Sequence, residues 1–405
     1  MQATPDLDLH TGQPIWNARS RTDPPHRPLL ESGKADVVVI GCGVSGALVA
    51  DALVEAGREV LALDRRGPAV GSTSASTALL QFEIDQPLTE LIGRLGRARA
   101  VRAWWRSATA VEHVHARISD LRIPCSFRSR QAIYLPGNVL DLAGLRKEAE
   151  TRARVGLRSH LIDGEELRRL TGIERDGAIL SAGAAEVDPR ALALGLWRAA
   201  VRRGARLHAP CDVVDIDPGP RRVLLTTSEG FTIEAKYVAL ATGYELSPLA
   251  RQRGYKITST WAYATAPQPD KLWPSRCLIW EAASPYLYIR TTTDGRVMVG
   301  GEDEGFKDED HRDRLLPRKV EVLRRKLAAL IPGIEAAPDY AWTGCFGESP
   351  DGLPLIGPIA GAERCFRVLG FGGNGLTFSA IAAQLIQRAI LGLPDPDAEL
   401  FSAPR

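Results

Sequence analysis

Three glycines spaced Gly41-x-Gly43-x-x-Gly46, with Asp64 beyond them, are the residue types that hold a phosphorylated nucleotide. Gly41 permits a tight turn, Gly43 has no Cβ to obstruct a pyrophosphate, and Gly46 lets helix and strand approach closely. Val44 and Ser45 open the helix, whose unpaired N–H groups and dipole attract the anion. Asp64 stands 18 residues past Gly46, where an acid accepts hydrogen bonds from a ribose. Arg65 and Arg66 suit either a 2′-phosphate or plain solvation, but Asp64 would repel that phosphate.

Three further stretches offer small residues or exposed backbone. The run Gly71 to Ala78 carries Ser72, Thr73, Ser74, Ser76 and Thr77. Alone it reads as a flexible loop; beside a phosphate-binding turn, small side chains let backbone N–H groups approach an extended cofactor and the hydroxyls add donors. Ala241-Thr242-Gly243 ends an apolar strand at the edge where such folds bind ligands. Gly372-Gly373-Asn374-Gly375-Leu376-Thr377 leads into a last helix and makes a second helix N-terminus available.

Between Lys256 and Gly301 the pattern alternates, as an antiparallel sheet does. Period two puts Tyr286, Tyr288 and Arg290 on one face, and Trp261 and Tyr263 together on another strand. These are the substrate-pocket candidates, although aromatics at such spacing also occur as half-buried sheet surface.

The elements that must position these groups follow from periodicity. Val37 to Ile40 reads as a strand, Val44 to Ala56 as a helix and Val60 to Leu63 as a second strand. Helices are predicted over Pro87 to Asp120, with Trp104 and Trp105 in packing roles, and over 140–155, 190–203, 311–331 and the stretch ending near Leu391. Residues 1–33 are polar and proline-punctuated, expected to wrap the surface or stay partly disordered, with Trp16 as a tack. At 405 residues the chain accommodates two domains. Charged residues cancel to a formal +2, so nothing points to nucleic acid. The six cysteines form no CxxC, and His113 and His115 diverge on a helix, so no metal is expected. No apolar run is long enough to span a membrane and no secretion signal is evident, which predicts a cytoplasmic protein.

With those residues in hand, the chain resembles the FAD-dependent flavoproteins that include D-amino-acid oxidase, glycine oxidase and sarcosine oxidase. Residues 36–78, 241–243 and 350–377 carry the likeness in the family's order, the last including Pro-Asp-Gly-Leu-Pro-Leu-Ile-Gly-Pro. The resemblance implies an α/β protein (α+β overall), with a Rossmann-like FAD-binding domain of the glutathione-reductase-like type and an inserted substrate domain on a mostly antiparallel sheet. Boundaries expected on that basis are 34–86, 148–246 and 344–393 for the FAD domain and 87–147 and 247–343 for the substrate domain, with an N-terminal extension (1–33) and a tail (394–405). It also implies FAD held without a covalent bond, since Cys345 is one residue away from the position of covalent attachment in sarcosine oxidase-like proteins. Val213 is expected to meet adenosine through its backbone, Gly372 to Thr377 to lie against the flavin, and Tyr288 to bind substrate. The implied reaction is oxidation of a C–N bond of an amine or amino acid by hydride transfer to flavin N5, then imine hydrolysis, with oxygen or another acceptor closing the cycle. A dehydrogenase feeding a quinone or carrier protein, and a flavoprotein with a structural or partner-binding role, are the alternatives. No single residue is assigned as catalytic, because the flavin carries the chemistry. One departure stands out: relatives acting on simple amino acids carry an arginine where this chain has Phe346. Either Arg290 supplies the cation from another wall, or the substrate lacks an α-carboxylate there.

Overall fold

The computed structural model describes residues 3–19 and 21–402. Residues 1, 2 and 20 of the expected extension, and 403–405 of the expected tail, lie outside that range. Strand β1 (Gly33–Ile40), helix α1 (Val44–Glu55) and strand β2 (Val60–Leu63) form the expected unit. Val37, Val38 and Val39 are fully buried, because β1 is a central strand covered on both faces.

β1 belongs to an eight-stranded sheet. Its parallel core sets Ala362–Leu369, Thr232–Leu240, β1, β2 and Arg206–His208 side by side. Antiparallel strands Leu355–Ile359, Val213–Pro218 and Val223–Thr227 complete it. Helices α1, Pro189–Arg202 and Gly375–Ile390 contribute to one large apolar core against this sheet.

The second sheet has nine strands, and eight run in the order Pro338–Glu348, Lys256–Thr265, Val297–Glu304, Leu287–Thr291, Leu278–Glu281, Arg128–Leu135, Gly177–Glu186, Leu79–Leu80. Every pairing is antiparallel except Leu278–Glu281 with Arg128–Leu135. Strands Ser159–Asp163 and Gly177–Glu186, expected with the cofactor-binding part, pair into this sheet instead. The other edge of Gly177–Glu186 is met by Arg128–Leu135, a long-range choice that strand pattern alone does not encode. Helix Leu316–Leu330 covers one face through Val320, Leu323 and Leu327.

Two local expectations are corrected and a third holds. The helix predicted over Pro87 to Asp120 is two, Leu88–Leu95 and Arg97–Leu121, broken at Gly96, whose φ is +78°. Trp104 is buried as expected, but Trp105 is 41% exposed and donates its Nε1–H to the Val155 carbonyl. The N-terminal segment is tacked down by Trp16 as expected: Ile15 and Trp16 are buried with Trp342, and Trp16 Nε1 donates to the Ser76 carbonyl at 2.7 Å.

Trp16→Ala should therefore release the N-terminal segment. Limited proteolysis is expected to cut within residues 3–19 at least about tenfold faster than in wild type, since deleting a buried tryptophan costs about 3–5 kcal/mol, while far-UV circular dichroism keeps its native shape.

Candidate functional site

The turn after β1 is built by backbone contact. Gly41 has φ +103°, and a Cβ there would lie 2.3 Å from the Ala241 carbonyl oxygen. A Cβ on Gly46 would lie 1.9 Å from the Gly41 carbonyl oxygen, so α1 rests directly on the turn. Gly43 is different: a Cβ would meet only Thr73 Oγ1, at 2.9 Å. That hydroxyl accepts the Val44 N–H, one of the first-turn donors that lack an intrahelical partner.

Together these groups wall a cleft with about 1030 Å³ of empty space. Of the sequence-predicted residues, Gly41, Gly43, Val44, Ser45, Asp64, Arg65, Arg66, Ser72, Thr73, Ser76, Val213, Ala241, Thr242, Gly243, Gly375 and Leu376 line it. Asp64 accepts N–H groups from Cys42 (2.6 Å), Arg66 (2.8 Å) and Gly67 (2.8 Å), which orient its carboxylate at the wall. Arg65 and Arg66 are not free for a phosphate. Glu245 accepts from both, Asp212 from Arg65 and Asp6 from Arg66, while the Pro5 and Leu7 carbonyls cap them. Thr4 and Leu9 of the N-terminal segment close over the same cleft.

Four expected cofactor contacts do not line this cleft or its neighbour. Gly46 serves helix packing, and Ser74 Oγ donates back to the Val70 and Gly71 carbonyls. Asn374 Nδ2 donates to the Glu83 carbonyl and Thr377 Oγ1 to the Gln81 carbonyl, pinning residues 81–85 beneath the last helix. Their type suited a cofactor, but local backbone acceptors lay nearer.

A second cavity, with about 860 Å³ of empty space, shares Ser72, Ser76, Tyr244, Gly375 and Leu376 with the first. Ser72 Oγ is buried with no hydrogen-bond partner, an orphan at the junction that suits a polar ligand running from one space into the other. Thr77, Gly372, Gly373, Tyr286, Tyr288 and Phe346 line the second cavity, as the sequence reading required of a flavin and substrate region. The rings of Tyr286 and Tyr288 stand 5.4 Å apart. Tyr288 lies over Gly300, where a Cβ would come within 2.3 Å of its ring. Trp280 stacks on Tyr134 at 3.9 Å, and its Nε1–H has no partner.

Asp85 is the one charged side chain in this wall. Its Oδ2 accepts the Gly373 N–H at 2.7 Å, and burial pushes its carboxyl up to about 6. Burial likewise raises Asp303 to about 7, with repulsion from Glu348 and Asp85 adding to it.

Trp261, Tyr263 and Arg290 do not reach the cavity. Trp261 donates its Nε1–H to the Arg312 carbonyl at 3.0 Å, and Tyr263 packs with Val320, Leu323 and Leu327 under the covering helix. Alternation puts Thr260, not its aromatic neighbours, on the cavity side. Arg290 shares a face with Tyr288 but is 2% exposed, and its Nη1 donates to the Ala78 (2.6 Å) and Val187 (3.0 Å) carbonyls. Burial lowers its guanidinium to about 10, which still leaves it charged at neutral pH. Gln81, Asp85, Thr260 and Trp280 escaped the sequence reading. The signal for two of them was present: Leu80-Gln81-Phe82-Glu83-Ile84-Asp85 alternates apolar and polar residues beside the Ser/Thr run.

Arg290 is thus a structural tie. Arg290→Ala should lower stability by roughly 2–5 kcal/mol, because two buried carbonyls lose their donor; chemical denaturation measures it. The ratio of rates on carboxylated and uncarboxylated substrates should stay within about twofold of wild type, and a carboxylate-specific collapse would overturn the assignment.

Comparison with known proteins fits this geometry. Residues 36–389 match the family described as FAD dependent oxidoreductase (DAO). Gamma-glutamylputrescine oxidoreductase of Escherichia coli is 26% identical over 390 residues, covering 94% of this chain and 88% of that protein. Probable oxidoreductase OrdL of Haemophilus influenzae is 24% identical over 378 residues, covering 90% and 85%. The crystal structure of glycine oxidase from Geobacillus kaustophilus superposes with a TM-score of 0.77 at 22% identity, covering 92% of this chain and 99% of that one. A family match across residues 36–389, on a fold whose two glycine turns and small-residue loop wall one continuous cleft, places this chain in the DAO family of FAD-dependent oxidoreductases.

Proposed function

We propose that this protein oxidises the C–N bond of an amine that presents no α-carboxylate to the pocket. The reading rests on the cavity beside the cofactor cleft, whose wall contains tyrosines, a tryptophan and Phe346 but no arginine, lysine or histidine. An amino-acid carboxylate entering it would lose its hydration and find no cation. Phe346, 8% exposed, stands where the family resemblance leads to the expectation of a carboxylate-binding arginine.

The cleft residues fit FAD extended from Asp64 to Phe346, and when bound FAD supplies the hydride acceptor. In this reading Gly41, Gly43 and the first turn of α1 hold the pyrophosphate, Asp64 the ribose and Val213 the adenosine edge. The N-terminus of Gly375–Ile390 presents N–H groups where negative charge is to be held. Tyr286, Tyr288, Thr260 and Trp280 orient the amine, and the aromatic part of the wall, away from Asp85, favours its neutral form, whose free pKa of about 10 would otherwise keep it charged. Cys345 lines the cavity, but burial pushes its thiol up to about 12, which disfavours the thiolate that attachment needs, and in this reading FAD is held without a covalent bond. The parallel sheet is read as the glutathione-reductase-like FAD layer and the antiparallel sheet as the substrate layer. Six free cysteines accord with a cytoplasmic setting, and among the described residues no helix is long and apolar enough to cross a membrane.

Two measurements test this. Gly43→Val should keep its circular dichroism but lose FAD, since the branched side chain meets Thr73 and enters the phosphate approach; normal FAD occupancy in the folded variant would mean that the turn does not cradle the pyrophosphate. Anaerobic flavin reduction by a panel of amines, glycine, sarcosine and D-alanine should favour the uncarboxylated amines by about ten- to 150-fold, the worth of a missing charge-assisted pair of roughly 1.5–3 kcal/mol. Equal reduction by D-alanine would sink the reading. The rate of reoxidation in air then separates oxygen from a quinone or carrier protein as acceptor.

A further inference from the structure

Asp85 is held in place, and among the described residues no cation is paired with it. Its Oδ2 accepts the Gly373 N–H, and its own N–H donates to Asn374 Oδ1 at 3.3 Å. Gly372 has φ +49°, and a Cβ there would lie 2.5 Å from Asp85 Oδ2, so the turn presses against the carboxylate with only hydrogen between them. Gln81 lines the same cavity, is 7% exposed, and has its Oε1 buried without a partner. An acceptor in that state calls for an explanation such as strain, a catalytic role or a bound water, ion or ligand, and its place in the cavity wall points to a ligand. Behind this wall Asp303 has a buried carboxylate whose one polar neighbour of note is the Thr260 hydroxyl, and Glu348 adds a further negative charge that Asp85 and Asp303 both feel. Lys319 draws Asp303 only weakly toward the charged form, since it is already paired with Glu302 and Glu304. All of this favours an incoming cation with several N–H donors.

Building on the C–N oxidation reading, we propose that Asp85, assisted by Gln81 Oε1, is the specificity determinant and takes a second, non-reacting ammonium of the substrate. The preferred substrates are then diamines or aminoalkyl amines, with the reacting nitrogen among Tyr286, Tyr288 and Trp280 and the distal ammonium at Asp85. The distal group stays charged because it pairs with a carboxylate, while the reacting group lies in the aromatic part of the cavity and loses its proton more readily.

The experiment uses FAD-loaded wild type, Asp85→Asn and Gln81→Leu, with α,ω-diaminoalkanes of three to six carbons and 1-aminoalkanes of matching length. Stopped-flow anaerobic reduction gives a limiting rate and an apparent dissociation constant for each. In wild type the best diamine should exceed its matched monoamine about tenfold or more in the ratio of those constants. Asp85→Asn should collapse that preference to within about twofold, with the change carried by the diamine dissociation constant, and Gln81→Leu should weaken it less. A diamine preference that survives Asp85→Asn, or no preference in wild type, overturns the proposal. Perturbation of the bound FAD spectrum on titration with 1,4-diaminobutane reads the same anchor without turnover. Binding that depends on Asp85 while no amine reduces the flavin would defeat the oxidation reading and keep the ammonium site; no perturbation in wild type would defeat the site.

Discussion

The structure depends on one contact between backbones. Gly41 passes so close to Ala241, and α1 so close to Gly41, that hydrogen is the largest group either glycine can carry. Gly41 also donates its N–H to the Leu63 carbonyl, and Ala241 donates to the Ile40 carbonyl, so β1, β2 and the Ala-Thr-Gly strand are locked at the same level. That level is the carboxyl edge of the parallel sheet, where strand ends diverge and leave a crevice. The other groups of the cleft are placed relative to it: Thr73 reaches the Val44 N–H, Asp64 turns back to the Cys42 N–H, and Gly375 opens its helix toward the same space.

Charge is distributed along the cleft in an instructive way. At the nucleotide end, two guanidinium groups are already satisfied by Glu245, Asp212 and Asp6, and they hold the N-terminal segment down through its carbonyls. A phosphate arriving there would compete with existing partners, which leaves backbone N–H groups and Asp64 as the contacts of the proposed cofactor site. At the other end, Asp85 and Asp303 carry carboxyls that burial has pushed up to about 6 and about 7. Buried charge without a counterion is costly, and the protein keeps that cost local to the cavity where a ligand can relieve it.

Between these ends, the second sheet acts as a partition. Alternation along Lys256–Thr265 sends Trp261 and Tyr263 into the core under helix Leu316–Leu330 and leaves Thr260 facing the cavity. Tyr288 gains its place because Gly300 on the neighbouring strand has no side chain beneath the ring. Rigidity behind the cavity comes from Arg152, fully buried between Glu148 and the rings of Trp104 and Tyr134, the latter supporting Trp280.

How much of this was legible beforehand follows from the range of the interactions. The β1-α1-β2 unit, its glycines and Asp64 were readable because strand, turn, helix and strand are consecutive in the chain and each glycine answers a local steric demand. The aromatic pair Tyr286 and Tyr288 was readable as a shared face, since period two is a local property. Which face was not: whether Trp261 or Thr260 meets the cavity depends on where a helix some 55 residues downstream packs. Arg290 had the right parity and the wrong surroundings, because the carbonyls of Ala78 and Val187, distant in sequence, claim it first. Asp85 acquired its meaning only when the Gly372–Gly373 turn closed over it from the far end of the chain. The sequence by itself determined the cofactor turn, because backbone sterics act between neighbours; the tertiary structure alone decided the electrostatic character of the pocket, because burial and unpaired charge arise only when distant segments exclude water together.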